Sequence, residues 1–143
     1  MTGNPIVIIL MLVVIAFIGL VLLIVLTTTR GSGRRLLNQD LYRTAWLEIE
    51  NNIIRDNSAS YQFAILSADK LLDKALIETG VEGETMGERL KHSNKLFRNL
   101  NGVWTAHKLR NKIAHESGKR INRILARRML NIYKNALKDL GAI

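Results

Sequence analysis

The sequence has no cysteine, a single proline and only three histidines. Without cysteine, disulfides and thiolate-held metals are excluded, and no thiol nucleophile is available. With proline confined to Pro5, no later stretch is barred from a helix interior, and the helix-rich vocabulary predicts an all-α fold. A glycine-rich phosphate loop is missing too: Gly80, Gly83 and Gly87 lack the spacing and follow no strand pattern. Acidic residues are scarce, 12 against 21 Lys and Arg, for a net charge of +9. The deficit is uneven. Arg30 to Arg35 carries +3; Leu36 to Thr85 has 4 basic and 9 acidic residues, or −5; Met86 to Ile143 has 14 basic and 3 acidic, or +11. Neutralisation within one bundle absorbs the −5 and leaves an excess, which suggests a polyanion partner, nucleic acid or anionic lipid.

What is present in quantity is one long apolar run. Ile6 to Leu26 is 21 residues without a charge, and as a helix it covers roughly 30 Å, the thickness of a bilayer core. It is expected to be a single transmembrane helix and the contact with the lipid bilayer. A cleaved signal peptide fits poorly, because no basic side chain precedes the run, it is too long, and no small-x-small site follows. The span holds no ionisable residue, which argues against a channel or transporter. Arg30, Arg34 and Arg35 follow it with no charged side chain before it. The positive-inside bias then puts the N-terminus outside and the rest in the cytoplasm, at a plasma (inner) membrane. The expected organisation is an anchor over 1–29, a basic linker over 30–36 and a cytoplasmic helical bundle over 37–143.

The bundle reads as five helices. Leu37 to about Arg55 repeats Leu41, Ala45, Trp46, Ile49 and Ile53 at helical spacing. A second helix, about Ser60 to Thr79, turns Ala64, Ala68, Leu71, Leu72, Ala75 and Leu76 inward, puts Asp69 and Asp73 outside, and ends at Gly80. Thr85-Met86-Gly87-Glu88 is a capping box opening a third, about Met86 to Phe97. The fourth covers about Val103 to Glu116 and ends at Ser117-Gly118. The fifth, about Lys119 to Leu140, has a stripe of Ile121, Ile124, Leu125, Met129, Ile132, Tyr133, Ala136, Leu137 and Leu140, with Gly141 as its cap. Its other side carries Arg120, Arg123, Arg127, Lys134 and Lys138, a surface for RNA or anionic lipid.

The fourth helix holds the candidate chemistry. Val103, Ala106, Leu109, Ile113 and Ala114 form its apolar stripe, and His107, Asn111 and His115 run along one border, with Arg110 close by. His107 and His115 are too far apart for the i, i+4 pair that grips zinc, and Glu116 lies about 100° round the helix. No metal or cofactor is expected. Phosphodiester chemistry remains. Metal-free RNA cleavage needs a base for the 2′-OH, an acid for the leaving oxygen and a cation for the phosphorane. An imidazole can be acid or base, and a guanidinium can hold the phosphate bidentately. One helix offers one such set, so acid and base together require a two-fold dimer. The opposing reading is structural: Arg110 pairs with Asp69 or Asp73, Asn111 bridges helices, and His107 is a packed histidine. Trp46 and Trp104 are expected as core anchors.

Arg110-Asn111, three residues, then His115 resembles the Arg-polar-x-x-x-His motif of the HEPN domain family, and Leu109 to Glu116 is similar to that family's form of the helix. The resemblance implies a four- to five-helix HEPN-like bundle, frequent dimerisation, a prokaryotic setting and, in active members, metal-independent endoribonuclease activity. Arg110 and His115 would then be the catalytic pair and Asn111 the polar accessory; His107 is outside the motif. The expectation is a membrane-anchored domain that binds RNA and cleaves it if the motif is active. The competing class is a non-enzymatic, membrane-tethered interaction module with a protein partner. A small-nucleotide sensor using the same polar edge is a third reading.

Overall fold

The computed structural model describes residues 4–29, 36–116 and 118–143. The basic linker at Arg30–Arg35 and Ser117 of the helix stop lie outside the described residues. Among the described residues the chain is all helix: α1 (Pro5–Thr29), α2 (Gln39–Asn51), α3 (Ser58–Glu78), α4 (Met86–Lys91), α5 (Leu100–His115) and α6 (Arg123–Asp139). They belong to two compact units, Met1–Arg34 and Arg35–Ile143.

In the first unit, the 20-residue stretch Pro5–Ile24 has a mean hydropathy of 3.6, and none of it is buried within the protein. A helix that is apolar all round has no polar face to turn to water. It is long and apolar enough to cross a membrane.

In the second unit α3 is the central helix, packed by α2, α4, α5 and α6. Its sequence explains this. Ala64, Ala68 and Ala75 let neighbours approach closely, while Ile65, Leu72 and Leu76 fill the space between them, all almost fully buried. Tyr42 of α2, Leu90 of α4, Val103 of α5 and Tyr133 and Leu137 of α6 close the core around it.

Asparagine caps set most helix starts. The side chains of Asn38, Asn57, Asn99 and Asn122 accept from the backbone N–H groups of Leu41, Ser60, Gly102 and Leu125. Thr85 and Glu88 form the expected capping box. Gly80 and Gly141 take the positive φ of a helix stop, at 81° and 73°.

Several expected boundaries move. α2 stops at Asn51, and the chain turns at Asp56, whose φ is 58°. The third expected helix ends at Lys91, not Phe97. The buried Ser93 hydroxyl donates to the Arg89 carbonyl at 2.7 Å, and the turn that follows returns Phe97 to the core. The last helix starts at Arg123, not Lys119, because Asn122 caps it. Ile121 is buried outside the helix, its N–H donating to Ser58 Oγ at 2.8 Å. From that start the inward face is Ala126, Met129, Leu130, Tyr133 and Leu137. Ile124 lies about 200° from Ala126 around the axis, so it is 81% exposed rather than in the core. Leu41 is likewise exposed, and its neighbour Tyr42 takes the core position.

Candidate functional site

The polar edge of α5 does not stand alone. It faces a carboxylate on α3. Asp69 follows Ile65 by four residues and precedes Leu72 by three, so it falls in the apolar stripe of α3 and is 3% exposed. The expected outward placement of Asp69 is therefore corrected; a residue at i+4 from one core position and i−3 from another shares their face. Asp73, one turn on, borders the same cleft.

Three side chains converge on Asp69. His107 Nδ1 lies 2.8 Å from its Oδ1, and the Tyr133 hydroxyl donates to the same oxygen at 3.0 Å. Arg110 Nε is 3.3 Å from Oδ2. That nitrogen is buried and not aligned for a hydrogen bond, so the contact is an ion pair. Asn111 completes the ring: its Oδ1 accepts from Arg110 Nη1 at 3.0 Å, and its Nδ2 lies 3.2 Å from His107 Nε2.

The donor inventory fixes the protons. A guanidinium only donates, so the amide oxygen of Asn111 faces Arg110 and its nitrogen faces His107. His107 Nε2 is then the acceptor, and the ring carries its hydrogen on Nδ1, donated to Asp69. Burial above all, then the Asp69 charge and hydrogen bond, push the Tyr133 hydroxyl well above the ordinary phenol range. Tyr133 therefore stays a donor, as its place requires.

This ring forms one wall of a cleft of about 1040 Å³. Lys108 and Trp104 of α5 and Phe63 and Lys70 of α3 also line it, with Thr85 and Arg89 from the α4 side. Arg89 is itself buried: its Nε and Nη2 donate to the two oxygens of Asp73, at 2.7 and 3.1 Å, and its Nη1 donates to the Gly83 carbonyl. Gly83 has φ 141°, and a Cβ there would meet the Arg89 backbone nitrogen at 2.8 Å, so the close approach requires glycine.

Arg110 and Asn111 thus line the cleft, with 35% of the Arg110 side chain in solvent. His115 is exposed as the last residue of α5 and is not among the cleft's lining residues. His107, outside the motif, is at the centre of the ring and is the packed histidine of the structural reading. Trp46 is buried as expected, while Trp104 is half-buried at the cleft and meets His107 edge-on, ring centres 6.2 Å apart. Of the two partners the sequence offers Arg110 in the structural reading, Asp69 and Asp73, the structure pairs it with Asp69; what the sequence does not show is that Asp69 lies inside the bundle and also meets His107 and Tyr133. The signal for Asp69 was a charge inside an apolar stripe. For Tyr133 there was none, since a tyrosine in a core stripe is ordinary.

The basic residues of α6 divide. Lys134 is occupied: its Nζ lies 2.8 Å from Glu50 and 5.6 Å from the centre of the Trp46 ring. Partial burial alone would raise the Glu50 carboxyl, but the Lys134 hydrogen bond and charge hold it below the ordinary range. Lys138 is exposed. Arg120 and Arg123 border a shallow depression where the starts of α3 and α6 meet. Arg123 and Arg127, with Arg55, border a groove of about 570 Å³ floored by Trp46, Tyr61 and Leu130. Among the described residues, no group of three or more His, Cys, Asp or Glu could hold a metal ion. No family model, curated protein or solved structure matches the chain.

Proposed function

We propose that this is a membrane-anchored, HEPN-like helical domain that binds RNA at the cleft between α3 and α5. The observation that carries the reading is the setting of Arg110. Asp69 and Asn111 hold its guanidinium in one orientation, and a third of the side chain remains open to a cleft that also carries Lys70 and Lys108. A pre-oriented guanidinium loses little freedom on meeting a phosphate and can hold it bidentately. Trp104 and Phe63, which is 58% exposed, supply aromatic surface for unstacked bases.

Cleavage is the finer part of the proposal. Arg110 and His115 are five residues apart on α5, which rotates them by about 140° around its axis. His115 therefore meets a phosphate on Arg110 best from a second copy. The proposed nuclease is a two-fold dimer in which each chain supplies one imidazole, one as base and one as acid. The proposed orientation, with the domain on the cytoplasmic side of an inner membrane, is supported by Arg30, Arg34 and Arg35 after the span; the proposed prokaryotic setting is what the HEPN resemblance implies.

One observation favours the non-enzymatic module instead: Arg110 Nε and Nη1 already have internal partners, and His115 stands apart from the cleft. Incubation of residues 36–143 with single-stranded RNA in EDTA separates the two. The nuclease reading expects cleavage that rises steeply with protein concentration and is lost in Arg110→Ala and His115→Ala, with the helical circular dichroism of both retained. Binding without cleavage at any concentration leaves the RNA-binding module; no binding removes the RNA reading altogether.

A further inference from the structure

We infer that the arginine-rich end of the helical unit, where the α2–α3 turn meets the start of α6, is a second membrane contact that takes anionic lipid headgroups. This rests on α1 being a bilayer anchor, and it is independent of what the α3–α5 cleft binds.

Two features coincide there. The first is charge. Arg55, Arg120, Arg123, Arg127 and Arg128 are all exposed. Arg55 shares its charge with Asp56 at 3.6 Å, but among the described residues none of the other four has a carboxylate partner. The second is apolar surface in the same place. Ile54, beside Arg55, is 60% exposed, and Ile124, beside Arg123, is 81% exposed. The two segments are tied together, since Ile121 N–H donates to Ser58 Oγ and Gln62 Nε2 to the Lys119 carbonyl. Arginines and isoleucines therefore occupy one end of the bundle.

The chemistry selects a bilayer over RNA. Guanidinium groups suit phosphates of either partner. Isoleucine side chains held among arginines suit only one of them: they gain by entering the headgroup–acyl boundary and gain little from a sugar-phosphate chain. RNA recognition would instead use aromatic faces to stack bases. The aromatic residues that floor the groove bordered by Arg55, Arg123 and Arg127, Trp46 and Tyr61, are each 3% exposed and committed to the core. The same chain carries α1, so a bilayer is also the partner at the highest effective concentration.

The absence of cysteine makes the test direct. A spin label on Ile124→Cys is the chain's single attachment point. The full chain is placed in lipid nanodiscs of phosphatidylcholine alone or with phosphatidylglycerol. In anionic discs the label is expected to collide with membrane-soluble oxygen more than with a water-soluble nickel chelate, and in neutral discs the reverse. Converting Arg120, Arg123 and Arg127 to Gln is expected to lower the inserted-to-free ratio about fivefold for each arginine removed. A label that stays in water in both discs overturns the inference. So does a label shielded only when single-stranded RNA is added, which would give the surface to RNA. Extraction of the chain by alkaline carbonate would refute the anchor itself, a failure separate from an inserted α1 with a wet label.

Discussion

Replacing Asp69 by alanine is the sharpest test of the ring. The carboxylate is 3% exposed and faces His107 Nδ1, the Tyr133 hydroxyl and Arg110 Nε. Alanine removes one partner from each of the three and leaves a buried hydroxyl and a buried ring N–H without an acceptor. Breaking a buried charge pair by truncating one side costs about 3–5 kcal/mol. Arg110 keeps a third of its side chain in solvent, which screens its share, so most of the loss arises at His107 and Tyr133. With a urea slope of about 1.5 kcal/mol/M, the midpoint for residues 36–143 should fall by about 2–3 M. Asp69→Asn gives the control. It retains an oxygen for His107 and Tyr133 and turns an amide N–H toward Arg110, so a smaller loss of about 1–3 kcal/mol is expected. Combining it with Arg110→Met should recover part of that loss, a coupling of about 1 kcal/mol. The assay is equilibrium urea unfolding followed by circular dichroism and tryptophan fluorescence. A loss below about 1 kcal/mol for Asp69→Ala would refute the buried ring, and with it the pre-orientation of Arg110.

Two further outcomes follow from the same structure. Glu50 and Glu88 are both held below the ordinary carboxylate range, Glu88 by the backbone N–H groups of Glu84 and Thr85. A carboxylate depressed in the folded state adds stability above its unfolded pKa and loses it as pH falls through the folded value. Stability followed from neutral pH downward should therefore fall in the acid window below the usual carboxylate pKa, and Glu88→Gln with Lys134→Met should flatten that slope; an unchanged slope would contradict both contacts. Ile124→Ser should change the unfolding free energy little, within about 0.5 kcal/mol, whereas Leu130→Ala on the buried face should cost about 2–4 kcal/mol. Equal losses at the two positions would restore the continuous stripe read from the sequence and refute the observed start of α6.

The sequence by itself determined the elements. An apolar run of bilayer length, apolar positions at helical spacing, the Thr85–Glu88 box and Gly80 and Gly141 at helix stops are local signals, and local physics decides them. It also placed Arg110 and Asn111 at the polar border of α5. Only the tertiary structure decided which face of each helix turned inward once its start was shifted by a cap, as at Ile124. It alone joined Asp69 of α3 to Tyr133 of α6, 64 residues apart in the chain, around His107. No periodicity carries that information. A charge within an apolar stripe is costly until partners on other helices satisfy it, and those partners meet only when the helices pack.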